Sequence, residues 1–157
     1  MRNKSYLKVN LYCLSVVSII ICTTTAYATI LRVRPSDYQT IQEAIDAAEA
    51  GDTVLVADGT YTGIGNKNLD FHGKAITVQS ENGPENCIID CERDGRGFIF
   101  QSGEGENSIV SGFTITYAAY SGSTGPLGGG AIYCWSSSPT ITNCIMRGNE
   151  ASYGGAR

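Results

Sequence analysis

Residues 128–156 read GGGAIYCWSSSPTITNCIMRGNEASYGGA, and the reading of this stretch decides the fold. It opens with Gly129-Gly130-Ala131 and returns to Gly154-Gly155-Ala156 after 25 residues. Two strand-like runs lie between, residues 131–135 and 140–146. A Ser136-Ser137-Ser138-Pro139 corner divides them, and Arg147-Gly148-Asn149 follows the second. Self-similarity at such a period marks a repeat whose unit cannot bury its apolar face alone and must stack on its neighbours. Short β-branched runs separated by Gly, Asn, Ser and Pro suit a coil of strands and turns. The stretch therefore predicts one rung of a parallel β-helix, an all-β fold.

Working outward, apolar triplets recur upstream. Ile76-Thr77-Val78 and Phe98-Ile99-Phe100 stand 22 apart, and Phe113-Thr114-Ile115 and Pro139-Thr140-Ile141 stand 26 apart. Cys87-Ile88-Ile89 and Ser108-Ile109-Val110, 21 apart, suggest a second set of strands in register with the first. This predicts three to four coils, with strands about 4.8 Å apart and alternate side chains stacked inward. Residues 121–130, SGSTGPLGGG, interrupt the rhythm and read as a loop inserted at a coil corner. No Lys-Ser/Thr follows, so they lack the rest of a phosphate-binding loop.

All 19 glycines lie beyond residue 50, and the one helical pattern lies before it. Thr40-Ile41-Gln42-Glu43 forms a capping box, and Ile41, Ala44, Ile45 and Ala48 make one narrow apolar stripe. With Gly51 as its left-handed terminator, a helix is expected over residues 40–50. A lone amphipathic helix ahead of a run of strands serves best as the lid over the first coil, whose edges would otherwise be open.

Residues 1–28 carry the pattern of a secretory signal: Arg2, Lys4 and Lys8, then an apolar run over residues 11–22, then Ala26-Tyr27-Ala28. The expected mature chain, residues 29–157, has a leading strand and capping helix over 29–51 and coils over 52–157. Removing the signal takes three of the 11 basic residues and none of the 15 acidic ones, so the net charge moves from −4 to −7. An acidic exported chain argues against nucleic acid as a partner. No later stretch is long and apolar enough to span a bilayer. The final Gly154-Gly155-Ala156-Arg157 starts a further repeat without a polar cap, which predicts that further coils of the same protein follow.

The segment YQTIQEAIDAAEAGDTVLVADGTY (residues 38–61) resembles the opening segment of secreted right-handed parallel β-helix proteins of the pectin-lyase-like superfamily. SIVSGFTIT (108–116) and SSPTITNCIMRGNEASYGGA (137–156) are similar to the coil repeats of that group. The GGAI element and the spaced Asn also resemble polymorphic outer-membrane protein repeats, which have Phe three residues before the Asn where this chain has Met146. The resemblance implies a fold shared by lyases, hydrolases, epimerases, adhesins and inert spikes, and so leaves activity to be argued from residues.

Those residues are few. Asp90-Cys91-Glu92-Arg93-Asp94-Gly95 is the densest acidic cluster, and Asp90, Glu92 and Asp94 alternate as in the first half of a calcium loop. The twelfth position is Gln101 in place of Glu, which favours a solvated turn. Asp70 and Asp90, 20 apart, are the candidate catalytic carboxylates: stacked on adjacent coils with Lys67 or Arg93 near, they could act on a polysaccharide. His72 reads as an exposed turn residue. Tyr117, Tyr120, Tyr133 and Trp135 are candidates for a sugar-stacking strip. Cys87, Cys91, Cys134 and Cys144 remain open between stacked thiols, disulfides and a metal site. The expected role is an exported, non-catalytic scaffold that contacts carbohydrate or another cell-surface component, with no cofactor required. The alternative is the N-terminal part of a carbohydrate-active enzyme with its catalytic coils further along.

Overall fold

In the computed structural model, residues 27–120 and 128–151 are described. Strand β1 (Ile30–Val33) leads into helix α1 (Ile41–Ala47), and strands make up the remaining regular structure. The chain runs through β2 (Thr53–Val56), β3 (Gly59–Tyr61) and β4 (Leu69–Asp70). It continues through β5 (Thr77–Ser80), β6 (Cys87–Asp90) and β7 (Phe98–Phe100), then β8 (Ile109–Ser111), β9 (Thr114–Thr116), β10 (Ala119–Tyr120) and β11 (Ile132–Cys134). The last described strands are β12 (Thr140–Thr142), β13 (Ile145–Arg147) and β14 (Glu150–Ala151). The sheets have the orders β1-β2-β5-β8-β12, β13-β9-β6-β3, β11-β7-β4 and β10-β14. Every pairing between these strands is parallel. The fold is thus all-β and parallel, with one short helix.

Register sets the core. Leu31, Val54, Val78, Val110 and Ile141 align across the five-stranded sheet. Tyr61, Ile89, Ile115 and Met146 align in the second sheet, and Leu69, Phe98 and Ile132 in the third. Alternation turns the aligned residues of β2 and β5 inward, as their buried–half-buried pattern shows, whereas Met146 in β13 is exposed. All four phenylalanines, Phe71, Phe98, Phe100 and Phe113, are fully buried at the centre. Phe71 meets Phe100 edge-on at 5.0 Å between ring centroids, and Phe98 lies near-parallel to Phe100 at 6.3 Å.

The expected repeat spacing is corrected by this register. Thr77 aligns with Ile109 and Ile109 with Thr140, so β5 shares a sheet with β8 and β12 and not with β7. Likewise Ile88 aligns with Thr114, so β6 pairs with β9 and not with β8. Successive visits to one sheet are separated by as few as 23 residues (Ile30 to Thr53) and as many as 34 (Phe98 to Ile132). Apolar triplets mark strands on every face alike, so each of the spacings of 22, 26 and 21 connects one face to a different one. Corners of unequal length hide the true period. The Gly154–Ala156 recurrence lies outside the described residues, as do most of the signal-like segment and most of the 121–130 loop.

Helix α1 is shorter than expected. Thr40 is its N-cap and accepts the Glu43 N–H at 3.2 Å, but the Glu43 carboxylate accepts from Gln39, one residue before the cap. The helix stops at Ala48, three residues ahead of Gly51. Two side chains explain the early stop. Asp52 takes the Glu49 N–H at 2.8 Å, which the next helical turn would have used. Lys74 donates to the last-turn carbonyls of Ile45 and Asp46 at 2.9 and 2.8 Å, a cation where the helix dipole favours one. Ile41, Ala44 and Ile45 are fully buried, and α1 packs against β1, β2 and β4, over the end of the strand stack. Among the described residues no helix is long and apolar enough to cross a membrane.

Candidate functional site

The acidic corner after β6 is built by a tight turn. Asp90 accepts the Glu92 N–H at 2.9 Å, and Glu92 and Arg93 both adopt left-handed backbone (φ 55° and 56°) before Gly95 at φ 105°. This sends the Glu92 carboxylate across to Lys67 at 3.0 Å and to the Gly63 N–H at 2.9 Å. Asp94 reaches the same ammonium at 3.3 Å. The hydrogen bond from Lys67 holds the Glu92 carboxyl below its ordinary range, and the same bond raises the Lys67 ammonium. Two of the three calcium candidates are therefore engaged by a lysine on the preceding loop. Among the described residues no group of three or more His, Cys, Asp or Glu side chains converges as a metal site. Arg93 lies over the Tyr117 ring at 5.5 Å and pairs with Glu150 at 2.9 Å. Asp90, Glu92, Arg93 and Tyr117 line an open depression of about 280 Å³.

The structure does not bring the two candidate catalytic carboxylates together. Asp70 aligns with Ile99 in one sheet, whereas Asp90 aligns with Thr116 in another. Their spacing of 20 residues links two faces and does not stack them. Asp70 accepts the His72 N–H at 2.7 Å, and its backbone is bracketed by the Gln42 side-chain amide. Gln101 sits 3.5 Å from its second oxygen. His72 is exposed, as expected, and stands between Asp46 at 3.4 Å and Asp70 at 3.5 Å.

The aromatic residues divide among three places. Tyr117 lines the depression, half-exposed. Tyr120 and Tyr133 sandwich the Arg96 guanidinium at 3.6 and 4.5 Å from their ring centroids. Trp135, 64% exposed, stands at the corner after β11, where its N–H bonds to Phe100 O. No single strip forms from the four. The cysteines divide as well, and all four are free. Cys87 and Cys91 are buried, and loss of water, aided by nearby Asp58 and Asp90 respectively, pushes both thiols up to about 12. Cys134 is exposed, and Cys144 is half-buried and packs against the core.

Among the buried charges that escaped the sequence reading, two are Arg96 and Glu104. Arg96 is 4% exposed and donates to Gly129 O at 2.9 Å and Gly128 O at 3.0 Å, pinning the end of the 121–130 loop. Glu104 is 2% exposed. Burial by itself would raise its carboxyl, but hydrogen bonds from Ser102, from its own N–H, from Gly73 and from the Ser137 hydroxyl outweigh that and hold it below its ordinary value. A usable signal was present. Each residue stands between two glycines, Gly95-Arg96-Gly97 and Gly103-Glu104-Gly105. At Gly97 the reason is steric, since a Cβ there would meet Ile115 Cγ2 at 2.8 Å and Ala131 O at 2.9 Å.

Comparison with family models, with curated proteins and with solved structures yields no match for this chain.

Proposed function

We propose that the chain is an exported, non-catalytic right-handed parallel β-helix module that serves as a scaffold contacting carbohydrate. The fold reading is supported by strands that revisit the same sheets in parallel register, which needs one crossover of constant hand at each return. The observation that carries the functional reading is the separation of Asp70 and Asp90 into different sheets, so that these two candidate carboxylates do not stack as an acid–base pair on one face. A binding reading is supported by the depression at Asp90, Glu92, Arg93 and Tyr117. It offers an aromatic ring for the apolar face of a sugar, carboxylates that accept from hydroxyls and a guanidinium that donates to them. Residues 29–157 should bind neutral or acidic oligosaccharides in calorimetric titration without shortening them, and Tyr117→Ala should abolish binding. Depolymerisation of a glycan that Asp70→Asn or Asp90→Asn removes would replace this reading with the enzymatic one.

A further inference from the structure

The depression at Asp90, Glu92, Arg93 and Tyr117 is bordered on both sides by neighbouring passages of the chain. On the β3 side, Lys67 and Gly63 hold the Glu92 carboxylate. On the β13 side, Glu150 pairs with Arg93, and Gly148 lies beside the Tyr117 ring, where a Cβ would meet Cε1 at 3.5 Å. The polar atoms of the lining are unevenly matched. Glu92 accepts from Lys67 and Gly63 through one oxygen, Oε2, and Asp90 accepts the Glu92 N–H through Oδ1. Among the described residues, neither Glu92 Oε1 nor Asp90 Oδ2 meets a donor, which leaves two acceptor oxygens for a ligand.

Charge is unbalanced in the same sense. Asp90, Glu92, Asp94 and Glu150 stand here with Lys67 and Arg93, four carboxylates to two cations. Lys67 is shared between Glu92 and Asp94, at 3.0 and 3.3 Å, and Glu150 balances Arg93 at 2.9 Å. Neither cation has charge to spare for an incoming anion. We propose that this depression takes uncharged sugars and turns away uronic acids. A sugar hydroxyl can donate to the two open oxygens, whereas the carboxylate of a uronic acid only accepts and meets like charge. The inference rests on the sugar-contacting reading of the same depression and narrows it.

Calorimetric titration of residues 29–157 with paired trisaccharides tests it: glucose against glucuronic acid, and galactose against galacturonic acid, each pair of one linkage. The neutral member of a bound pair should bind roughly ten-fold more tightly at low salt, as one or two like charges near a surface produce. Added salt should narrow the gap. Asp90→Asn removes one charge and keeps the oxygen that accepts the Glu92 N–H, so the gap should fall to about three-fold. Glu150→Gln, at an exposed position, leaves the Arg93 charge unmatched and should narrow the gap as well. A uronic acid that binds as tightly as its neutral partner would overturn the inference and leave the sugar-contacting reading standing. So would a gap indifferent to both Asp90→Asn and Glu150→Gln. Failure of every trisaccharide to bind would remove that reading, and this inference with it.

Discussion

Glu104 ties together corners that lie far apart in sequence. One carboxylate accepts from Gly73, which follows β4, from Ser102, which follows β7, and from Ser137, which follows β11. A buried anion is tolerated only when such donors replace its water. Its folded value lies below the ordinary 4.5, so its stabilisation is fully present above about that pH and is lost as pH falls through the lower folded value. Glu104→Gln should therefore cost about 1.5–3 kcal/mol at neutral pH, as hydrogen bonds to a charged group do. The gap between parent and variant should shrink in acid, and urea midpoints measured across pH would follow it. A gap that stays constant with pH would contradict the ionised role. Arg96 depends on shape as well as charge, since its flat guanidinium lies between two rings while it donates to two carbonyls. Arg96→Lys keeps the charge but loses the plane, and should cost about 1–2 kcal/mol in urea unfolding.

Helix α1 and the strands differ in how far the sequence disclosed them. The start of α1 was legible because capping is local: Thr40 and Glu43 sit within one turn. Its end was not, because Asp52 and Lys74 stop it, and Lys74 arrives from the next passage of the chain. Strand positions were legible from apolar alternation, as at Val78 and Ile89. Their partnering was not, because corner length decides which face a triplet joins, and the corners between Asp90 and Phe98 and between Tyr120 and Ile132 are unequal. The site suffered most: a 20-residue spacing placed Asp70 on Asp90 on paper, whereas pairing places Asp70 beside Ile99. The lid role of α1 predicts that Ile41→Asp with Ile45→Asp exposes the β1 end, since neither charge could find a partner there. Such a variant should lose stability and self-associate more than the parent in sedimentation. A variant as stable as the parent, with the parent's assembly state, would refute the lid.

At the scale of the molecule, the four free thiols among the described residues report on how cooperatively the strand stack opens. Cys87 and Cys91 lie inside, one at the start of β6 and the other just past its end, and both have thiols pushed up to about 12, so neither reacts while the stack is closed. Cys134 is exposed at the end of β11, and Cys144 is half-buried at the open end of the stack. If each return of the chain is held only by its neighbours, opening could begin at the β12 end and spread inward, in which case Cys144 would react well before the inner pair. The shared phenylalanine cluster and the Glu104 ties join successive returns into one unit, which favours concerted opening of everything from β4 to β11. Labelling with an aromatic disulfide reagent under native conditions should therefore modify Cys134 at once and Cys144 more slowly. Cys87 and Cys91 should follow together at a single rate that rises with urea along the global unfolding curve. Separate rates for Cys87 and Cys91 in dilute urea would mean that the returns open one at a time.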